Sequence, residues 1–149
     1  MILSAQTIRK LQPIKPFHER TVFGGMSFGL SSAGYDIRIA EEFILPSSGY
    51  KLASTVEQFD MPNDIIGMVH DKSTWARRGL SLFNTVIEPG WKGYLTLELV
   101  NHSYKPMTIE SGTPIAQVVF MQLDEPTEQP YSGKYQNQKA GFQVALRER

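Results

Sequence analysis

From residue 35 onward, short runs of alternating apolar and polar side chains recur along the chain, each closed by glycine, proline or serine. The runs 35–39, 43–45, 50–57, 65–69, 80–84, 94–100, 107–109 and 115–123 predict strands, because a period of two turns every second side chain toward one face. Many short strands broken by tight turns favour a sandwich or a closed barrel over an alternating α/β sheet. Helical periodicity is scarce. Ser4 stands where an N-cap belongs before 5–11, with Ile8 and Leu11 on one face and Pro13 as the stop. A second helical turn fits 73–78. Residues 13–32, with two prolines and Gly24-Gly25 among scattered aromatics, read as a long ordered loop. Residues 125–149, rich in Gln, Pro, Lys and Gly, read as an arm lying on the surface or on a neighbouring subunit, and no internal repeat is evident.

The length, 149 residues, suits a single domain, which at this size buries roughly 70% of the surface of its unfolded chain. Fifteen Lys and Arg balance fifteen Asp and Glu, so no overall field draws the protein to nucleic acid or to an anionic membrane. Any anion it binds is gripped locally. The absence of cysteine excludes disulfides, thiolate nucleophiles and Cys-rich zinc frameworks. Met1-Ile2-Leu3-Ser4 lacks the basic flank and apolar run of a signal peptide, and no stretch approaches the ~20 apolar residues of a membrane span. The expected location is the cytoplasm.

Four segments carry polar groups that strand alternation does not require. Ser32-Ala33-Gly34-Tyr35-Asp36-Ile37-Arg38 is a glycine turn feeding a strand with Asp36 and Arg38 on one face, the pattern of a structural ion pair or of a site. In 71–80, Lys72, Ser73, Thr74, Arg77 and Arg78 crowd one loop, which is either a solvated turn or a set of donors for phosphate oxygens. In 86–99 a Pro89-Gly90 turn separates two carboxylates. Glu98 shares a strand face with Tyr94 and Thr96, as a solvent-facing residue or as a desolvated acid and base. Finally, Tyr131, Lys134 and Gln138 lie in a tail that is either a mobile terminus or a flap over an anionic ligand.

In this order the segments resemble the dCTP deaminase and dUTPase superfamily over nearly the whole chain, with the deaminases the closer branch. Lys72-Ser73-Thr74-Trp75-Ala76-Arg77-Arg78-Gly79-Leu80 is similar to the deaminase Arg-Ser-Ser-x-x-Arg-x-Gly-Leu segment. Glu88-Pro89-Gly90-Trp91 with Leu97-Glu98-Leu99 is similar to their Asp-Pro-Gly-Trp turn and Leu-Glu-Leu strand. Gly112-Thr113-Pro114-Ile115-Ala116-Gln117 resembles a strand common to both branches, and Lys134-Tyr135-Gln136-Asn137-Gln138 resembles the deaminase phosphate-binding tail. Ala33-Gly34-Tyr35-Asp36 is closer to the first dUTPase motif.

The resemblance implies a mainly β fold, a distorted β-barrel (β-clip) with short helices, in a homotrimer whose active sites lie at subunit interfaces and are closed by the arm. It implies metal-free hydrolysis of dCTP to dUTP and ammonia, with Glu98 as proton shuttle and with Ser73 and Arg77 holding the attacking water. Glu88 aligns with the acid that receives the 3′-hydroxyl in deaminases and activates water in dUTPases. Lys72, Thr74, Gln117, Tyr131, Lys134 and Gln138 become candidates for the triphosphate and sugar. Mg²⁺ arrives on the nucleotide, and dTTP is a candidate inhibitor. Zinc chemistry of the His/Cys type is excluded, since there is no cysteine and His18, His70 and His102 are scattered. The chain departs from the pattern at Lys72, where arginine is usual, at Glu88, where aspartate is usual, and at Val86, where monofunctional deaminases carry arginine. Its loop from 80 to 87 is also shorter. The alternatives are a dUTPase that releases pyrophosphate through Glu88, a bifunctional enzyme using both carboxylates, and a non-catalytic nucleotide-binding trimer.

Overall fold

The computed structural model describes residues 1–148. In chain order its elements are α1 (Ala5–Leu11), β1 (Ile14–Lys15), β2 (Thr21–Phe23), β3 (Met26–Leu30), β4 (Tyr35–Arg38), β5 (Phe43–Leu45), β6 (Tyr50–Asp60), β7 (Ile65–Asp71), α2 (Ser73–Ala76), β8 (Leu80–Leu82), β9 (Val86–Ile87), β10 (Lys92–Asn101), β11 (Met107–Ile109) and β12 (Pro114–Gln122). The strands form a six-stranded sheet ordered β2-β3-β4-β12-β7-β9, a four-stranded sheet ordered β1-β6-β10-β8, and the pair β11-β5. An isolated bridge from Ile39 to Thr55 links the end of β4 to β6, joining the two large sheets. Their inner faces enclose a core that includes Ile37, Ile39, Phe59, Leu97, Leu99 and Phe120. This is a mainly β, distorted barrel, as the short-strand pattern predicts. Among the described residues no helix is long and apolar enough to cross a membrane.

The expected loop at 13–32 is instead partly strand. Gly24 and Gly25, both at positive φ, turn β2 back on β3 in a register pairing Thr21 with Phe28 and Phe23 with Met26. Such a turn needs φ > 0 at both central residues, which glycine supplies without steric cost. In α1 only Ile8 is buried. Leu11, expected on the same face, is 42% exposed, because the chain leaves the helix at Gln12 in a left-handed conformation before Leu11 can pack.

Asp36 and Arg38 do not pair with one another. The Asp36 carboxylate accepts from Lys72 Nζ at 2.8 Å, whereas Arg38 Nε donates to Glu57 Oε1 at 2.8 Å and its backbone N–H to Glu57 Oε2 at 2.9 Å. Glu57 is fully buried, and that burial pushes its carboxyl above the ordinary value against the opposing pull of Arg38. A charge so placed is tolerated only because it is paired and hydrogen-bonded. Tyr35 is equally structural: its hydroxyl accepts from the His18 N–H and donates to the Pro16 carbonyl, and burial pushes it up to about 12.

Candidate active site

One edge of β10 is paired by β6; the other is covered by a succession of unlike groups. β8 pairs with Leu99, Val100 and Asn101. Beyond Leu82 the strand ends, and the Phe83 N–H reaches the Glu98 carbonyl at 3.2 Å. The side chain of Asn84 then takes over the ladder: its Oδ1 accepts the Glu98 N–H at 3.1 Å and its Nδ2 donates to the Thr96 carbonyl at 2.8 Å. Further along, Gln138 accepts the Tyr94 N–H through its backbone carbonyl at 3.0 Å. It also donates Nε2 to the Tyr94 carbonyl at 2.8 Å. The Asn137 N–H caps the Lys92 carbonyl at 2.9 Å. The arm therefore folds back onto its own chain and satisfies backbone groups that a neighbouring strand would otherwise have to pair.

Between this edge and the arm lies a cavity of about 480 Å³, within the ~300–1,000 Å³ range of small-molecule sites. It gathers five of the residues singled out from the sequence: Glu88, Glu98, Tyr131, Lys134 and Gln138. A register shift between Tyr94 and Thr96 breaks the strand alternation. As a result Leu95, Thr96 and Glu98 all line the cavity and Tyr94 is not among its lining residues, which departs from the expected Tyr94, Thr96 and Glu98 face. Glu98 is half-buried, and its Oε2 is a buried oxygen with no hydrogen-bond partner. Desolvation raises its carboxyl above the ordinary value, with its own backbone N–H opposing the rise. A sheltered carboxyl with one oxygen left unpartnered holds its proton more readily than an exposed one does.

Glu88 follows β9 at the start of the turn that Gly90 closes at φ +81°. A Cβ on Gly90 would approach Pro130 Cβ to 2.8 Å, so glycine there lets the arm cross the turn closely. Trp91 is buried beneath it and donates its indole N–H to the Tyr135 carbonyl at 2.7 Å. The Tyr131 hydroxyl accepts the Tyr135 N–H at 3.1 Å, holding the arm in a tight bend. Lys134 Nζ lies 3.1 Å from Glu148.

The remaining candidates lie elsewhere on the chain. Ser73, Thr74 and Arg77 belong to the α2 turn, where Trp75 is buried and donates its indole N–H to the Pro114 carbonyl. Ser73 and Arg77 are exposed. Lys72 is buried in its pair with Asp36, and Gln117 donates Nε2 to Ser31 Oγ at 3.1 Å. None of Lys72, Ser73, Thr74, Arg77 and Gln117 lines the Glu98 cavity of the same chain.

Sequence reasoning missed Asn84 and gave Thr96 a place on the Glu98 face but no role. Both line the cavity, yet one sat at the end of a predicted strand and the other at an ordinary strand position. Replacing Asn84 with alanine leaves the Glu98 N–H and the Thr96 carbonyl without their partner, which should cost about 1–3 kcal/mol. Urea unfolding of Asn84→Ala should show this as a lowered midpoint with unchanged slope.

Residues 30–123 match the family model described as dCTP deaminase-like. The dCTP deaminase of Campylobacter fetus is 38% identical over 161 residues, covering 86% of this chain and 87% of that protein. The dCTP deaminase of Acidobacterium capsulatum is 35% identical over 159 residues, covering 85% and 87%. Among solved structures, the 2′-deoxycytidine 5′-triphosphate deaminase from Agrobacterium tumefaciens superposes with a TM-score of 0.65 at 17% identity, over 80% of this chain and 48% of that one. The EIAV dUTPase superposes with a TM-score of 0.58 at 24% identity, over 70% and 87%. The structural likenesses show the fold, and the sequence matches go further: this chain belongs to the dCTP deaminase-like family.

Proposed function

We propose that this protein hydrolyses dCTP to dUTP and ammonia, with Glu98 moving the protons. The observation that carries the proposal is the buried, unpartnered Oε2 of Glu98 in a cavity of nucleotide-site size. Deamination adds water to C4 of cytosine and expels the amino group. As a carboxylate, Glu98 takes a proton from the attacking water while the oxygen bonds to C4. As a carboxylic acid, it hands that proton to N3, whose double bond to C4 has opened; it then takes the proton of the new C4 hydroxyl and gives it to the amino group, so that ammonia leaves and the C4 carbonyl of dUTP forms. One group performs both steps more readily the closer its two protonation states lie in energy, and desolvation of Glu98 moves them in that direction.

Ser73 and Arg77 complete the mechanism from a neighbouring subunit of a homotrimer: they orient the water and stabilise charge on the intermediate. Their exposure on the surface of their own chain, away from the Glu98 cavity, supports this assignment. Lys72, Thr74 and Gln117 lie on that same side of the chain and join the site with them. Lys134 and Tyr131, on the arm, hold the triphosphate and sugar from above; Gln138, whose side-chain N–H groups go to Tyr94 and Thr96, fixes the arm there, and Glu88 receives the sugar hydroxyl. Mg²⁺ enters as part of the nucleotide. dTTP, sharing the sugar and triphosphate, competes for the same contacts, and the reaction runs in the cytoplasm.

A second activity has one observation in its favour. Glu88 lines the same cavity as Glu98, so a water activated there would attack a phosphate instead, as in a dUTPase or a bifunctional enzyme. Incubation with dCTP and with dUTP, assaying ammonia and pyrophosphate separately, tests the proposal. Ammonia from dCTP without pyrophosphate is the expected outcome. Pyrophosphate from dUTP alone would replace the proposal with dUTP hydrolysis, and both products from dCTP would extend it. Neither product from either nucleotide would leave a non-catalytic nucleotide-binding trimer.

A further inference from the structure

Two residues of the arm, five positions apart, converge on one side-chain atom of the Glu98 strand. Thr96 Oγ1 accepts from Gln138 Nε2 at 2.6 Å and from the Gln143 backbone N–H at 3.0 Å. A hydroxyl has two acceptor lone pairs, and here both are engaged by the arm. The carbonyl of the same residue accepts from Asn84, whose Oδ1 receives the Glu98 N–H. Thr96 thus sits where the arm, the Asn84 clamp and the Glu98 strand meet, and Thr96, Asn84, Gln138 and Gln143 all line the cavity.

We propose that Thr96 is a latch: its hydroxyl holds the arm closed over the cavity and fixes the arm's register relative to Glu98. Strand structure alone does not require a hydroxyl at this position, since valine has nearly the same shape and a high strand propensity. What valine lacks is the acceptor. Without it the Gln143 N–H has no partner, and the Gln138 amide keeps only the Tyr94 carbonyl. Thr96 is a positioning residue, acting on substrate through the arm. Its kinetic consequence rests on the deaminase proposal, whereas its effect on the arm does not.

The test compares wild type, Thr96→Val and Thr96→Ser in the full-length protein. Hydrogen exchange at the Gln143 amide and tryptic cleavage after Lys139 report the latch without any turnover. Steady-state kinetics with dCTP report its use. Thr96→Val should speed exchange at the Gln143 amide and cleavage after the already exposed Lys139, and raise KM about 10- to 30-fold while kcat stays within about twofold, the pattern of lost binding rather than lost chemistry. Serine, which restores the acceptor, should return both readouts toward wild type. Unchanged exchange and cleavage in Thr96→Val would overturn the latch. A loosened arm with a wild-type KM would overturn its link to substrate, and failure of serine to rescue would show that packing rather than the hydroxyl is responsible. Were the wild type inert on dCTP, the deaminase proposal would fall, while Gln143 exchange would still decide for or against the latch.

Discussion

Glu98→Gln should lower ammonia release from dCTP by about a thousandfold or more, the upper part of the range for loss of a general acid and base, while dCTP binding stays within a few-fold of wild type. The amide keeps the shape of the carboxyl, so the cavity and the β10 ladder persist, but it cannot take a proton from water or return one to the leaving amine. Initial rates by ammonia assay, with dCTP binding followed by calorimetry, separate the two effects. Near-normal turnover would remove Glu98 from the chemistry. The same variant carries a stability signature. Burial raises the Glu98 carboxyl above its ordinary value of 4.5, so the native state keeps its proton to higher pH than the unfolded chain does. The resulting stabilisation is fully present below the unfolded value and is lost as pH rises through the native one. Glutamine has no such dependence. Relative to wild type, the Tm of Glu98→Gln should therefore rise from acid toward neutral pH, and a constant difference across that range would contradict the desolvated carboxyl.

Removing residues after Pro130 should raise KM for dCTP about a hundredfold. The deletion takes away Tyr131, Lys134 and Gln138 from the cavity wall, including the one lysine among the cavity-lining residues, and charge-assisted bonds to phosphate are each about twice as strong as neutral ones. Folding should survive, because every residue of the buried core lies between Leu3 and Phe120, before the arm begins. The Trp91 indole would lose its acceptor on Tyr135, giving a fluorescence change that confirms the arm normally covers it. An unchanged KM in a folded, truncated protein would separate the arm from nucleotide binding.

Alternation made most of the barrel legible. The runs 43–45 and 107–109 coincide with β5 and β11, and the others lie within a few residues of their strands. The misses have local causes. β2 has no buried side chain, so no periodicity marks it, and β1 and β9 are two residues each. Same-face placement of Asp36 and Arg38 followed from spacing, but their partners, Lys72 at the start of α2 and Glu57 in β6, lie far along the chain and meet them only after it has folded. The site shows the same division. Glu98 stood out because a carboxylate between two core leucines needs a reason to be there. Asn84 and Thr96 did not, because each acts by meeting a backbone edge or an arm from far along the chain. The gap between the Glu98 cavity and the α2 turn could not be read from motif order, which lists Ser73, Arg77 and Glu98 as neighbours in a pattern without saying where the fold places each.

That gap sets the most direct measurement. Glu98→Gln and Arg77→Ala should each be nearly inactive alone. When the two are unfolded together and refolded at equal concentrations, a cyclic trimer with Glu98 and Arg77 on opposite sides of every interface regenerates an intact pair at about a quarter of its sites. The account predicts ammonia release from dCTP at about a quarter of the wild-type rate for the mixture; a mixture that forms mixed trimers yet stays as inactive as its two components would contradict it.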